Sequence, residues 1–183
     1  APYGNAQTEN RTIYKTGAGN LLLSDTVLIN EQLSKIETLN QTQPDSAIGL
    51  LNELMAYERE AILQPFNGKV FAFAAVCYLR KGDYKQCEQL LEKAFHYARK
   101  SNDKEILSYL HNVNAVIYQQ SGLYSKSISH YLQAIELANE NLSDKRIIQT
   151  YTNFGGFWSI IGEYKQALKY YDLASGLLEK SKN

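Results

Sequence analysis

Tyr151-Thr152-Asn153-Phe154-Gly155-Gly156-Phe157-Trp158, then Gly162-Glu163-Tyr164, then Ala167, Tyr171 and Ala174, is the stretch that decides the fold. The aromatic residues at 151, 154 and 158 recur at three and four residues, the spacing of one helix face. Gly162 interrupts that face, and glycine tolerates the positive φ with which a chain leaves a helix. Ala167, Tyr171 and Ala174 then resume helical spacing. The segment reads as two antiparallel helices around a tight turn.

The same order recurs upstream without gaps. His111, Ala115 and Tyr118 precede Gly122-Leu123-Tyr124 and then Ser127, Tyr131 and Ala134. Phe71, Ala75 and Tyr78 precede Gly82-Asp83-Tyr84 and then Cys87, Leu91 and Ala94. The turn glycines fall at 82, 122 and 162, so the period is forty residues. A degenerate fourth copy lies at Pro44-Asp45-Ser46-Ala47-Ile48-Gly49-Leu50-Leu51, where Ala47, Leu51 and Leu54 take the slots of Cys87, Leu91 and Ala94. Pro44 suits the first turn of a helix, where its missing N–H costs nothing.

These residues resemble the tetratricopeptide repeat, whose pattern is W-x2-L-G-x2-Y, then A-x3-F, then P. The copy at 151–171 matches best, through Tyr151, Phe154, Gly155, Trp158, Ala167 and Tyr171. Family repeats usually run 34 residues. The longer period here implies helices about one turn longer, and the closing proline is replaced by Asn102-Asp103-Lys104 and Leu142-Ser143-Asp144. The resemblance implies an all-α fold, an α-α superhelix of about four helix-turn-helix repeats. The expected helices are 24–41, 44–60, 67–81, 84–101, 104–121, 124–141, 144–161 and 164–181. Residues 1–20, with three glycines and little periodicity, read as a flexible tail, and 21–183 as the repeat domain.

The spacing assigns side-chain tasks. Ala75, Ala115 and Gly155 are expected to face Cys87, Ser127 and Ala167 where paired helices cross closely. Asp83, Asp103 and Ser143 or Asp144 are expected to cap the helices that follow them. The pattern tyrosines, Tyr78, Tyr84, Tyr118, Tyr124, Tyr131, Tyr151, Tyr164 and Tyr171, read as core and inter-repeat packing. Cys77 and Cys87 lack a metal or redox spacing and read as buried apolar thiols.

Composition narrows the function. Hydrophobic residues make up 44% of the 183 and charged residues 21%, the balance of a folded globular chain. Lys+Arg and Asp+Glu are both 19, without the basic excess that phosphate neutralisation requires, so nucleic acid is not an expected partner. No apolar run reaches the ~20 residues of a membrane span. His96, His111 and His130 form no metal-ligand spacing, and His111 occupies an aromatic packing slot. Gly-rich phosphate loops and nucleophile elbows are missing. The expectation is therefore no catalysis, no metal and no cofactor. The sequons at Asn10, Asn40 and Asn141 read as chance.

In solenoids of this kind the first helix of each hairpin lines the concave side. The strip beside the packing slots is Lys69, Phe73, Val76 and Arg80, then Tyr109, Asn112, Val116, Gln119 and Gln120, then Gln149, Asn153, Gly156 and Ser159. Its amides can bond a peptide backbone through donors and acceptors alike, so a protein or peptide is the expected partner. Some family members clamp a peptide's terminal carboxylate. Asn153 resembles a groove asparagine of that clamp, but the strip holds only two cations, Lys69 and Arg80, where the clamp uses several.

Forty-residue repeats of this style also resemble the sensory or scaffold portions of bacterial regulators. The family's arrays carry a polar capping helix. Here Phe157, Ile161 and Leu168 are expected to be exposed, or covered by a downstream segment or a second copy. Tyr3-Gly4-Asn5-Ala6-Gln7 looks like the tail of a bacterial signal peptide, which favours an exported over a cytoplasmic location.

Overall fold

The computed structural model describes residues 23–138 and 143–181. Over these the chain forms eight helices and no strand: α1 (Leu23–Thr42), α2 (Pro44–Met55), α3 (Asn67–Arg80), α4 (Tyr84–Lys100), α5 (Lys104–Gln120), α6 (Tyr124–Ala138), α7 (Asp144–Ile160) and α8 (Tyr164–Lys180). They pair as four consecutive hairpins. Each hairpin's second helix packs on the next hairpin's first, and α1, α3, α5 and α7 touch in succession.

The turns explain the period. Gly82, Gly122 and Gly162 have φ of 77°, 71° and 85°. Around each, two backbone bonds close the helix end: Gly82 N–H donates to Leu79 O and Asp83 N–H to Tyr78 O, with the equivalent pairs at 122–123 and 162–163. Asn102 closes α4 in the same way at φ 52°. This left-handed terminus satisfies carbonyls that a helix end leaves unpaired. At the next helix starts, Asp83 Oδ1 accepts from Gln86 N–H and Asp103 Oδ1 from Ile106 N–H, each at 3.0 Å. Ser143 does not cap α7 with its side chain. Its hydroxyl donates to Glu105 Oε1 on α5 at 3.2 Å instead.

Small residues mark the closest crossings, and Ser127 Oγ donates to the Ala115 carbonyl at 2.8 Å. At Gly155 a Cβ would lie 2.8 Å from the Tyr171 ring, so the ring uses space that alanine would take. The core is one apolar body from α1 to α5, continued by an aromatic cluster in the last two hairpins. In that cluster Tyr131 stacks on Phe154 with centroids 4.8 Å apart, and Phe154 meets Tyr170 at 4.4 Å. Cys77 and Cys87 are separate buried thiols, each pushed up to about 11 by burial.

Several expectations are corrected. Helix α2 ends at Met55 rather than 60, and residues 56–66 form successive turns. Pro65 cannot donate within a helix, and the loop is held by tertiary bonds. Gln64 and Asn67 side chains donate to the Glu58 carbonyl, while Lys93 and Tyr97 of α4 bind its carboxylate. Phe157 is buried, because it turns back onto Tyr124 and Tyr131 of α6. Ile161 is half-buried and Leu168 exposed. Tyr84, Tyr124, Tyr164 and Tyr171 are exposed rather than core. The first three open their helices, and a side chain there leans beyond the hairpin's end, where there is less to pack against. The tail, the cleavage-like segment and the sequons at Asn10 and Asn141 lie outside the described residues. Asn40 is buried, donating to the Phe73 carbonyl at 3.4 Å.

Candidate functional site

A cavity of about 660 Å³ opens on the face formed by the first helices of the second to fourth hairpins. Its wall carries Val76, Leu79 and Arg80 from α3, Gly82 and Tyr84 from the turn after it, Tyr109, Asn112, Val113, Val116 and Gln120 from α5, and Gln149 and Asn153 from α7. Successive first helices are in contact, so their aligned faces merge into one groove instead of three separate strips.

Of the strip read from the sequence, Val76, Arg80, Tyr109, Asn112, Val116, Gln120, Gln149 and Asn153 come together in this cavity. Lys69, Phe73, Gln119 and Ser159 do not line it. Phe73 is fully buried, with its ring edge-on to Tyr109 at 5.9 Å and Lys69 Nζ 5.5 Å from its centroid. Gln119 instead accepts from the Tyr131 hydroxyl at 3.3 Å. Ser159 and Gly156 are half-buried.

Beneath the open side chains lies a polar layer. Asn153 Nδ2 donates to Asn112 Oδ1 at 3.1 Å, and Asn112 Nδ2 reaches Thr150 Oγ1 at 3.4 Å. Thr150 donates to the Arg146 carbonyl at 3.0 Å. Arg146 is buried, lies 4.4 Å from the Tyr109 ring centroid and donates from Nη1 to Gln149 Oε1 at 2.7 Å. Its Nη2 stands 3.9 Å from Glu105 Oε1, and its Nε has no partner among the described residues. Burial pushes the Tyr109 phenol up to about 12, only partly opposed by Arg146. Tyr109 is thus a neutral phenol at ordinary pH, and Arg146 orients Tyr109 and Gln149.

Sequence reasoning does not pick out Leu79, Gly82, Tyr84 or Val113 for this wall, nor the buried Arg146 that supports Tyr109 and Gln149 behind it. Arg146 stands three residues before Gln149, on the same helix face, and that spacing is the signal that could have found it. The open wall combines apolar side chains with Arg80, Gln120 and Asn153. It can bury aliphatic groups and bond amides, but no nucleophile stands beside a base there. Among the described residues, no group of three or more His, Cys, Asp or Glu is gathered where a metal could bind. No helix among them is long and apolar enough to cross a membrane.

Four stacked helical hairpins whose first helices share one groove form an α-α superhelix of the tetratricopeptide type. The model of the tetratricopeptide repeat matches residues 114–141, which include the hairpin turn at Gly122. The fold is also similar to that seen in the crystal structure of MamA. The two share 17% sequence identity at a TM-score of 0.51, over 87% of this chain and 83% of that one.

Proposed function

We propose that this chain is a recognition module that takes an extended peptide, or an extended segment of a protein, in the groove between α3, α5 and α7. It would serve as the sensory or interaction portion of a larger bacterial regulatory protein. The observation that carries this reading is the cavity itself, whose wall sets Val76, Leu79 and Val116 beside Arg80, Gln120 and Asn153. An extended strand presents unpaired amides and carbonyls, and carboxamides answer both. The aliphatic side chains at 76, 79, 113 and 116 would take alternate side chains of such a strand. Nucleic acid fits this surface poorly, because among the described residues Arg80 is the only cation on the cavity wall.

The test is selection of binders from a displayed random-peptide library, followed by affinity measurement against the parent and an Arg80→Ala/Val116→Asp/Gln120→Ala variant. The reading expects selected peptides to lose at least about tenfold in affinity, roughly 1.4 kcal/mol, while the variant keeps the parent's helicity at the assay temperature. Peptides that bind parent and variant equally would overturn it.

A further inference from the structure

The last helix carries a second surface, independent of the groove. The slot at Leu91 recurs at Tyr131 and Tyr171, forty residues apart each time. Leu91 is 6% exposed and Tyr131 1%, because the first helix of the following hairpin lies against α4 and α6. Tyr171 is 38% exposed and Leu168, one turn away, 62%. Among the described elements α8 packs on α7 alone. The exposed stripe is Tyr164, Leu168, Tyr171, Ser175 and Leu178, with one face of the Tyr171 ring resting on Gly155 of α7. Its spacing of four, three, four and three is the heptad seam of a helix that pairs with another helix.

We infer that α8 pairs antiparallel with α8 of a second copy of this chain, across a two-fold axis. The flanking charges select that partner. Setting Leu168 against the partner's Leu178, and Tyr171 against the partner's Ser175, puts Lys165 opposite the partner's Glu179. Two-fold symmetry makes that ion pair twice. Asp172 then meets the partner's Asp172 near the axis, the one unfavourable contact of the seam. Head-to-tail stacking is disfavoured, because α1 at the other end exposes Asn30, Glu31, Ser34 and Lys35 rather than an apolar stripe.

Sedimentation equilibrium of the full chain over a wide concentration range tests this. The expected result is a concentration-dependent dimer that Leu168→Glu abolishes; Leu168 is exposed, so the variant should keep the parent's helicity. Lys165→Glu and Glu179→Lys should each weaken the dimer about tenfold, and the double variant should restore it, because the exchanged charges again face each other. Asp172→Asn should tighten it. A monomer at every concentration would mean that another helix, from a longer chain or a different protein, covers this face, and would overturn the inference. So would a dimer indifferent to Leu168→Glu, or a double variant that fails to recover.

Discussion

The carboxamides of Asn112 and Asn153, 41 residues apart in the chain, are hydrogen-bonded at 3.1 Å between α5 and α7. The bond ties two neighbouring repeats together at the wall of the groove. Asn112 is buried, so its carboxamide belongs to the array before it belongs to any ligand. Asn112→Ala leaves Asn153 and Thr150 short of a partner, which costs about 1–3 kcal/mol. Thermal unfolding should show the loss directly. Arg80→Ala and Gln120→Ala, on exposed side chains, should leave the melting temperature within about 1 °C of the parent.

The crossing of α7 and α8 should resist enlargement. Ala167 is buried where α8 packs on α7. Ala167→Leu forces added methyl groups into that contact and should destabilise by about 1–3 kcal/mol. At about 2–4 °C per kcal/mol for a chain of this size, calorimetry resolves the difference. A melting temperature equal to the parent's would show that the crossing has slack.

The turn glycines offer a cleaner backbone test. Gly122 has φ 71°, and a Cβ there would meet nothing within 4 Å. Gly122→Ala should therefore act through conformation alone and cost about 1–2 kcal/mol. Gly122→Asn should cost less, as Asn102 already holds that conformation at φ 52° in the turn after α4.

Acid should act on the third hairpin before the rest. His111 Nδ1 lies 2.9 Å from His130 Nδ1, with Phe95 edge-on to His111 and Tyr118 stacked on His130. Burial, then the neighbouring His130 and Arg99, lowers His111 to about 4, and burial also lowers His130. The folded chain therefore binds fewer protons than the unfolded one below the ordinary histidine value of about 6.5. The pair's stabilisation is whole above that value and declines as pH falls towards about 4. His111→Phe should flatten the melting temperature between pH 7 and pH 4.5. A parent-like slope in that variant would refute the assignment.

The loop at 56–66 titrates lower. Burial raises the Glu58 carboxyl, but hydrogen bonds from Lys93 and Tyr97 outweigh it and hold it below the usual carboxylate range. That contribution is whole above the ordinary carboxylate value and disappears as pH falls through the lowered one. Glu58→Gln removes the negative charge that Lys93 pairs with and should speed proteolytic cleavage within 56–66 without abolishing the fold. Equal cleavage rates would show that the backbone bonds to Gln64 and Asn67 suffice.

Most of the helical architecture is legible in the amino-acid sequence, because it rests on short-range rules. Gly82, Gly122 and Gly162 announce left-handed helix ends, and aromatic and small residues at three- and four-residue spacing announce the buried faces. Helix α2 reads too long in the sequence because residues 56–60 obey helical spacing locally. The turn there is held by contacts to Glu58 that spacing does not announce, from Gln64 and Asn67 nearby and from the distant Lys93 and Tyr97. The strip along α3, α5 and α7 is legible as a set of helix faces, but the depth of each residue in it is not. Phe73 and Asn112 share helical spacing with exposed neighbours and differ from them only in what lies opposite.

The repeat, its period, the hairpins and the position of each turn are written in the chain itself, since all of these follow from backbone preference and from periodicity within a few residues. Packing in three dimensions is what puts Arg146 under Tyr109, turns Phe157 inward, and pairs Glu37 of α1 with Lys145 of α7 at 2.9 Å across 108 residues. Those contacts depend on the superhelical twist. That twist accumulates over every packed interface between successive hairpins, and no single segment of the chain encodes it.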